Sequence, residues 1–333
     1  MGIWEKAEEI RDPELAKLAA ALPLVLRSSL AEGTNKKYER GWKGWRDWAN
    51  QAGAVPCPGD PFFVCLYMTS LIFTNGTKGA LIDAFYGIRW GHHTAGYESP
   101  TENPTVKMSF EGAQRICAKP VTKKDPMLAG MVRELVDNYG DKSRFSLHDL
   151  RFLLVVVICY AGFLRIDELL CTKLKNITIK PSHMEIFLEE CKNDKAREGS
   201  TVMIARTGTR YCPVGMVEKY LQHADLDLRK NGEAHLICRL VAIKNGVKAH
   251  ATRGIGYTRV REVFKDYVAP LESQGYNLGL HSMRAGGATT ASENDIGGDL
   301  MDIHGRWKSE KSKKGYIKHS LKKRLSVTQS LGL

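Results

Sequence analysis

The sequence is poor in the features that mark disulfide-linked, zinc-binding and membrane proteins. Its eight cysteines are scattered, with no C-x-x-C pair and no cysteine–histidine spacing suited to zinc. Most lie in apolar surroundings such as VVVICYAGF, where a free thiol behaves as a small hydrophobic group, so we expect a reducing compartment. The longest apolar stretch, Phe152 to Phe163, is too short to span a bilayer. Since no charged-then-apolar signal segment opens the chain, we expect an intracellular protein, nuclear if eukaryotic and otherwise in the cytoplasm or nucleoid.

Acidic residues are fewer than basic residues. Lysine and arginine total 49 against 37 aspartate and glutamate, which gives a net charge of +12. Such an excess favours a polyanionic partner, because each neutralised phosphate releases condensed counterions. Many basic proteins bind no nucleic acid, so the charge alone does not identify a DNA-binding protein. The length of 333 residues is enough for two ordinary domains, each with its own core.

Helical patterning dominates the first part of the chain. After a predicted N-cap at Thr34, residues Tyr38, Trp42, Trp45 and Ala49 fall on one face of a helix. The basic residues fall mostly around the other faces, which indicates a solvated surface, a surface along a DNA backbone, or both together. The candidate DNA contacts on this helix are Lys36, Lys37, Arg40 and Lys43. A further helix is predicted near Gly79 to His92, after an apolar segment from Phe62 to Phe73.

The segment KPVTKKDP interrupts this pattern and predicts a linker over residues 119–126. Its residues Lys123 and Lys124 are further candidate DNA contacts. Asp125 is predicted to cap a helix with Pro126 at its first position. The chain is therefore divided into a helical domain over residues 1–118, the linker, and a second domain over residues 127–333.

The second domain combines helices with a few short strands. A strongly apolar helix is predicted from Ser146, and Gly162 bends or ends it. Three β-like segments follow, and the last two flank the polar turn CKNDKAREG as in a hairpin. These segments are Ile177 to Ile179, Met184 to Leu188 and Thr201 to Ala205. Helical patterns return from Thr258, so the predicted fold class is mainly α with a small antiparallel β-sheet (α+β).

Four motifs that carry chemical groups occur in order along the second domain. They are GFLRIDEL with Arg165 and Glu168, CKNDK with Lys192 and Lys195, LHSMRAGG with His281 and Arg284, and GRWKSEKSKKGYI with Trp307 and Tyr316. Each alone would occur by chance in many proteins. Together, in this order and with Trp307 nine positions before Tyr316, they resemble the tyrosine recombinases of the phage-integrase family. The segments RIDEL, CKNDK and GRWKS resemble recombinases encoded by eukaryotic mobile elements, such as DIRS-like or Crypton-like transposons, more than typical phage enzymes.

The resemblance implies an architecture and a set of partners. The first domain would be a helical, SAM-like core-binding domain that clamps DNA, and the second would be the tyrosine-recombinase catalytic domain. The enzyme would act on double-stranded DNA as a homotetramer on two DNA sites, without a membrane. Because bond energy is conserved in a protein–DNA link, no metal or other cofactor is expected. The tail from Ser320 would either dock on a neighbouring subunit or pack on its own domain.

The resemblance also implies a role for each motif residue. Tyr316 would attack the DNA phosphodiester to form a 3′-phosphotyrosine link and a free 5′-hydroxyl. Arg165 and Arg284 would hold the scissile phosphate with permanently charged, bidentate donors. A phenol is a poor nucleophile at neutral pH, so His281 would act as the base that helps remove its proton.

The remaining motif residues would complete the reaction. Lys192 would protonate the leaving 5′ oxygen as the general acid, and Lys195 in the same turn is the alternative. Trp307 would donate its indole N–H to a phosphate oxygen or pack beside the nucleophile, and it cannot exchange protons. Glu168 would orient Arg165 or His281. His304, twelve positions before Tyr316, is expected to be a nearby structural residue.

Two other functions fit the same residues. A type IB topoisomerase uses a similar set to relax one duplex instead of joining two. A transposon-derived protein could keep the fold and bind DNA without cleaving it. The H-x-x-R pair and the compact C-terminal motif favour the recombinase.

Overall fold

The computed structural model describes residues 4–74, 76–120, 122–140, 146–189, 198–244 and 246–332. Two compact units divide the chain, Met1–Val121 and Thr122–Leu333. Each unit contains its own buried hydrophobic cluster, which includes Trp45 in the first unit and Leu153 in the second. Within the described ranges, no helix is both long enough and apolar enough to cross a membrane.

The first unit is helical throughout its regular structure. Its helices are α1 (Glu5–Glu8), α2 (Pro13–Arg27), α3 (Glu32–Gln51), α4 (Pro61–Phe73), α5 (Lys78–Ala95) and α6 (Pro104–Ile116), with a 3-10 turn at Pro100–Glu102. Trp45 on α3 is fully buried, and its indole N–H donates to the Pro56 carbonyl at 2.9 Å. The prediction that Thr34 caps α3 is wrong, because the helix begins two residues earlier and the Thr34 N–H already bonds to the Ala31 carbonyl.

The second unit contains the remaining helices and all five strands of the described residues. The elements are α7 (Ala129–Gly140), α8 (Leu147–Ala161), α9 (Ile166–Cys171), β1 (Ile177–Ile179), β2 (His183–Leu188), β3 (Ser200–Ala205), α10 (Pro213–His223), β4 (Cys238–Ile243), β5 (Gly246–Gly254), α11 (Tyr257–Ser273), α12 (His281–Glu293), α13 (Gly298–Gly305), α14 (Glu310–Lys314) and α15 (Leu321–Gln329). A 3-10 turn at Leu174–Asn176 precedes β1. This composition confirms the predicted fold class of helices with small antiparallel sheets.

Helix α8 is the centre of the second unit. Ser146 and Asp149 form a reciprocal capping box at its start, and Gly162 follows its last residue. Leu150, Leu153 and Ile158 are fully buried in the largest hydrophobic cluster. A helix with apolar residues on all sides is expected to be covered on all sides, as this one is.

The strands form two separate antiparallel sheets. Strands β1, β2 and β3 lie in sequence order, with Ile186 opposite both Ile177 and Val202. These three strands match the predicted segments to within one residue. The β4–β5 hairpin was not predicted, although Asn245-Gly246 in the sequence is a common hairpin-turn pair.

The predicted helix start at Asp125 and Pro126 is wrong, because α7 begins at Ala129. The Asp125 N–H instead donates to the Asn277 carbonyl at 2.8 Å, and the Met127 N–H donates to the Ser282 carbonyl at 2.8 Å. These long-range bonds hold the segment extended beside the start of α12. Tertiary hydrogen bonds therefore override the local helix-start signal.

Candidate active site

Five of the motif residues meet at one place in the second unit. Arg165 and Glu168 are at the start of α9, Arg284 is on α12, and Trp307 and Tyr316 follow α13 and α14. Trp307 and Tyr316 pack with Phe163, Ala288 and Met301 in a small buried cluster beside the main core. Residues more than 150 positions apart in the sequence thus form one group of charged and aromatic side chains.

Glu168 is buried and bonded to Arg165 at both its backbone and its side chain. Its side chain is 4% exposed, and its Oε1 lies 2.5 Å from a terminal guanidinium nitrogen (Nη1) of Arg165. Its Oε2 accepts the Arg165 backbone N–H at 2.9 Å. As Glu168 is the third residue of α9 and Arg165 its N-cap, the carboxylate also satisfies a backbone donor at the helix start.

The pKa values in this group follow from burial and from neighbouring charge. Burial raises the pKa of Glu168, but the charge of Arg306 and the bonds from Arg165 outweigh it and leave the pKa below its ordinary value. Burial lowers the pKa of Arg165, whereas Glu168 and then the Tyr316 hydroxyl raise it above its ordinary value. Tyr316 is therefore near enough to influence the pKa of the Arg165 guanidinium.

Arg284 is fully buried between backbone carbonyls and aromatic rings. Its guanidinium donates to the carbonyls of Phe163 and Gly305. It also lies 5.1 Å from the ring centre of Trp307 and 4.9 Å from that of Tyr316. Burial, followed by the charges of two other arginines, lowers its pKa. Arg284 therefore contacts the ring that carries the candidate nucleophile.

Tyr316 is half-buried, and the backbone around it is held by several bonds. Its N–H donates to the Lys313 carbonyl at 2.9 Å, and its own carbonyl accepts from the Thr289 hydroxyl at 3.4 Å. The Lys313 side chain is 9% exposed and lies 2.9 Å from the Asp302 carboxylate. Two residues after Tyr316, Lys318 lies 2.6 Å from the Asp125 carboxylate. The segment is thus joined to α12, α13 and the extended segment before α7.

Trp307 is 6% exposed, and its ring centre lies 5.7 Å from that of Tyr316. Its indole nitrogen is buried and has no hydrogen-bond partner among the described residues. The two rings are tilted by 37°, so Trp307 packs beside the candidate nucleophile without stacking on it. The unused N–H leaves one donor in the site without an acceptor.

The two histidines of the region differ in their surroundings. His281 is the first residue of α12 and is exposed. His304 lies edge-on to Phe163, and its Nε2 is 2.8 Å from the Ala161 carbonyl. Burial is the largest cause of the lowered pKa of His304. Its contacts are those of a structural residue beside the site.

The remaining candidate residues belong to the first unit, to the segment before α7, or to the part of the chain that the structure does not describe. Lys192 and Lys195 lie outside the described residues. On α3, Lys36 pairs with Glu32, while Lys37 and Arg40 both pair with Asp83. Lys43 and Lys123 are exposed, and Lys124 bonds to the Asn277 side chain.

Arg306 is a member of the site that the motif analysis missed. Its guanidinium lies 2.9 Å from Glu168 Oε2, so Glu168 faces a second arginine besides Arg165. The sequence signal that could have identified Arg306 is its position directly before Trp307 in GRW. Three guanidiniums and one buried carboxylate beside a phenol form a net positive site, which suits an anionic reactant.

Comparison with known proteins supports a specific family resemblance. No family model matches the chain. An integrase/recombinase xerD homolog of Selenomonas ruminantium is 24% identical over 296 residues, which cover 88% of this chain and 83% of that protein. The likeness therefore extends over both units.

Solved structures resemble the chain over most of its length. A XerH site-specific recombinase bound to a palindromic difH substrate has a TM-score of 0.59 at 16% identity, and the match covers 89% of this chain and 79% of the XerH chain. The Tn1549 transposon integrase with transposon right end DNA has a TM-score of 0.56 at 12% identity, and the match covers 92% of this chain and 96% of the integrase chain. A lambda integrase dimer bound to a COC′ core site has a TM-score of 0.55 at 12% identity, and the match covers 90% of this chain and 93% of the integrase chain. The predicted resemblance to tyrosine recombinases is confirmed at the level of the fold.

Proposed function

Because the chain has the fold of the tyrosine recombinases, we propose that it is a site-specific DNA recombinase or integrase that acts through a 3′-phosphotyrosine intermediate. The observation that carries this proposal is the position of Tyr316. Its ring lies over the Arg284 guanidinium, 4.9 Å away, and beside the ring of Trp307. The similar proteins above are described as integrases or recombinases, and the three structures contain DNA.

In the first step the Tyr316 oxygen attacks the phosphorus of one DNA strand. The new bond joins tyrosine to the 3′ phosphate, and the bond from phosphorus to the 5′ oxygen breaks. Arg165 and Arg284 stabilise the negative charge that develops on the phosphate oxygens. His281 assists removal of the phenol proton, and Lys192 or Lys195 returns a proton to the 5′ oxygen.

Arg284 must exchange partners before it can take this role. Its terminal nitrogens donate to backbone carbonyls, and the rings of Trp307 and Tyr316 lie against it. Entry of a phosphate therefore requires the Tyr316 ring to shift off the guanidinium. Attack by Tyr316 on phosphorus needs a movement of the same ring, so a single displacement serves both requirements.

The second step reverses the first with a different strand. The free 5′-hydroxyl of a partner duplex attacks the phosphotyrosine, and Tyr316 leaves. We propose a homotetramer on two DNA sites, with residues 1–118 as the DNA-clamping domain, residues 119–126 as the linker and residues 127–333 as the catalytic domain. The lambda integrase neighbour is a dimer on DNA, which supports assembly of several subunits.

The basic candidates of the first unit and the linker would contact the DNA backbone. Lys36, Lys37, Arg40 and Lys43 are close together on α3. Lys123 and Lys124 are in the predicted linker. Asp83 neutralises part of this surface, since both Lys37 and Arg40 pair with it. Placement among DIRS-like or Crypton-like elements, and a nuclear location, stay predictions.

The first test is covalent trapping of DNA. We would select a binding site from random duplexes with the full chain, then build substrates nicked at successive positions next to each phosphate of that site. Wild-type protein is expected to form a covalent adduct without metal or ATP. Tyr316→Phe is expected to form none, because it lacks the attacking oxygen, while it binds the same DNA. Denaturing gel electrophoresis of labelled DNA measures the adduct.

The control variant is Tyr276→Phe, which removes the hydroxyl of an exposed tyrosine outside the site. It should form the adduct as the wild type does. Strand exchange between two duplexes then distinguishes a recombinase from a type IB topoisomerase, which would only relax supercoils. Salt-sensitive binding to the selected site with no adduct from any nicked substrate would favour a DNA-binding protein without cleavage activity.

A further inference from the structure

The conformation of Arg306 is unusual for a residue with a long side chain. It follows α13 with φ 55° and ψ 41°, in the left-handed region that glycine adopts most easily. The side chain is nevertheless 9% exposed. A non-glycine residue at this backbone position carries a conformational cost of about 1 kcal/mol or more, so its side-chain contacts must offset that cost.

Those contacts connect three parts of the site. One terminal nitrogen (Nη1) donates to the carbonyls of His304 at 2.8 Å and Gly162 at 3.3 Å. The other (Nη2) donates to the Phe163 carbonyl at 3.0 Å and to Glu168 Oε2 at 2.9 Å. Four acceptors from the α8–α9 connection, α9 and α13 thus converge on one guanidinium.

Glu168 is the acceptor that connects Arg306 to the reaction. Its two oxygens divide between the two arginines, with Oε1 on Arg165 and Oε2 on Arg306. Among the effects that keep the pKa of Glu168 low, the charge of Arg306 is the largest. Without Arg306 the pKa of Glu168 would lie higher, and the neutral acid bonds Arg165 more weakly than the carboxylate does.

Arg306 also shares an acceptor with Arg284. The Phe163 carbonyl accepts from both guanidiniums. If Arg284 leaves this carbonyl to bind a phosphate, Arg306 still bonds to it, so the carbonyl is not left without a donor. The arrangement lowers the cost of moving Arg284 away from the Phe163 carbonyl, although the Gly305 carbonyl would lose its Arg284 donor.

We propose that Arg306 is a positioning residue for DNA cleavage, which fixes the ionised Glu168 and thereby aims Arg165 at the scissile phosphate. This inference rests on the proposed recombinase function. Arg306 itself would not contact the reacting atoms, because its bonds are directed to Glu168 and to backbone carbonyls.

The test measures single-turnover adduct formation on the nicked substrate at saturating protein. Arg306→Lys keeps the charge but cannot bond four acceptors in the same geometry, and we expect cleavage to slow about 100-fold, as for misplacement of a reacting group by about 1 Å. DNA affinity should stay within the error of the wild type. The matched control is Arg151→Lys, since Arg151 is also buried and donates to a carbonyl, that of Cys238 at 3.0 Å, away from the site.

A second variant separates charge from geometry. Arg306→Gly suits the left-handed backbone, so folding is expected to survive. Because the lost charge allows the pKa of Glu168 to rise, cleavage by this variant should fail at a higher pH than cleavage by the wild type as the solution is acidified. Millimolar guanidinium should restore part of the rate.

A double variant tests the route through Glu168. In a Glu168→Gln background, Arg306→Lys should slow cleavage much less than it does alone, since the connection is already broken. Equal cleavage rates for wild type and Arg306→Lys, or full additivity with Glu168→Gln, would overturn the inference alone. Loss of rate in Arg151→Lys as large as in Arg306→Lys would also overturn it. Absence of any wild-type adduct would contradict the proposed function and this inference with it.

Discussion

At the scale of single residues, Glu168 is a buried carboxylate that faces three arginines. It lies 2.5 Å from Arg165, 2.9 Å from Arg306 and 3.7 Å from Arg284. A buried ion pair is weak evidence for net stability, because desolvation offsets much of the attraction. Removal of the one carboxylate nevertheless leaves three guanidiniums close together without a counter-charge. Replacement of Glu168 should therefore lower the free energy of unfolding by more than the burial of its side chain alone suggests.

Glu168→Gln should destabilise the second unit by about 3 kcal/mol at neutral pH, since it leaves buried charges uncompensated. The folded pKa of Glu168 is below its ordinary value of 4.5, so its contribution is present above that pH and is lost as the pH falls below it. The difference in stability between wild type and variant should therefore shrink on acidification. Urea unfolding at a series of pH values measures it.

The control for this prediction is Glu262→Gln. Glu262 is 55% exposed and pairs with Arg259 on the surface of α11. Its replacement should change stability by less than about 0.5 kcal/mol at any of these pH values. A pH-independent difference between wild type and Glu168→Gln would contradict the assigned ionisation of Glu168.

At the scale of elements, α12 carries Arg284 into the site because two of its residues lack side chains. A Cβ added at Gly286 would lie 1.7 Å from the Met127 carbonyl oxygen. A Cβ added at Gly287 would lie 2.2 Å from the Tyr160 carbonyl oxygen. The helix therefore packs directly on the extended segment before α7 and on the end of α8. The motif LHSMRAGG therefore supplies two things: the H-x-x-R pair and a glycine pair that allows the helix to pack this closely.

Gly286→Ala should destabilise the second unit by about 3 kcal/mol, the upper end of the range for overpacked sites, because the three nearest atoms are all backbone atoms of Met127. The matched variant is Gly130→Ala on α7, where no atom lies within 4 Å of the added Cβ. It should be neutral or stabilising by up to about 1 kcal/mol through helix propensity. Thermal unfolding of both variants provides the comparison. Equal stabilities would contradict the close contact at Met127.

The same elements explain how far the sequence predicts the fold and the site. Helix α8 and strands β1 to β3 were predictable, because Ser146 caps the helix locally and apolar alternation defines the strands. The extended conformation at Asp125 was not predictable, because its hydrogen-bond partner Asn277 is 152 positions away in the sequence. The order of the motifs predicted the residues that meet at Tyr316. Arg306 was missed, because its role depends on Glu168 and on carbonyls that the sequence does not place.

At the scale of the whole molecule, the excess of basic residues over acidic ones bears on the proposed binding of DNA. A net charge of +12 predicts binding that weakens steeply with salt. Many of the basic residues are already paired, as Lys37 and Arg40 are with Asp83. The unpaired surface charge, rather than the total, should therefore set the salt dependence.

Lys43→Ala should reduce the slope of log affinity against log salt by about 0.9, the value for one neutralised phosphate. Lys43 is exposed on α3 among the candidate DNA contacts. The matched variant is Lys175→Ala, which removes the same charge from a lysine held 2.7 Å from Glu233 and should leave the slope unchanged. Fluorescence anisotropy of labelled DNA at several salt concentrations measures both slopes. An unchanged slope in Lys43→Ala would remove this residue from the DNA contacts.

The tilted packing of Trp307 against Tyr316 has a practical consequence for testing the proposed reaction. Trp307 is the one tryptophan of the segment from Thr122 to Leu333, and the other five belong to Met1–Val121. With those five replaced by phenylalanine, the emission of a single indole would report on the surroundings of the nucleophile. Its quantum yield should change when the phenol shifts off Arg284. The protein therefore contains an intrinsic optical probe at the site, which times that displacement in stopped-flow experiments without an attached dye.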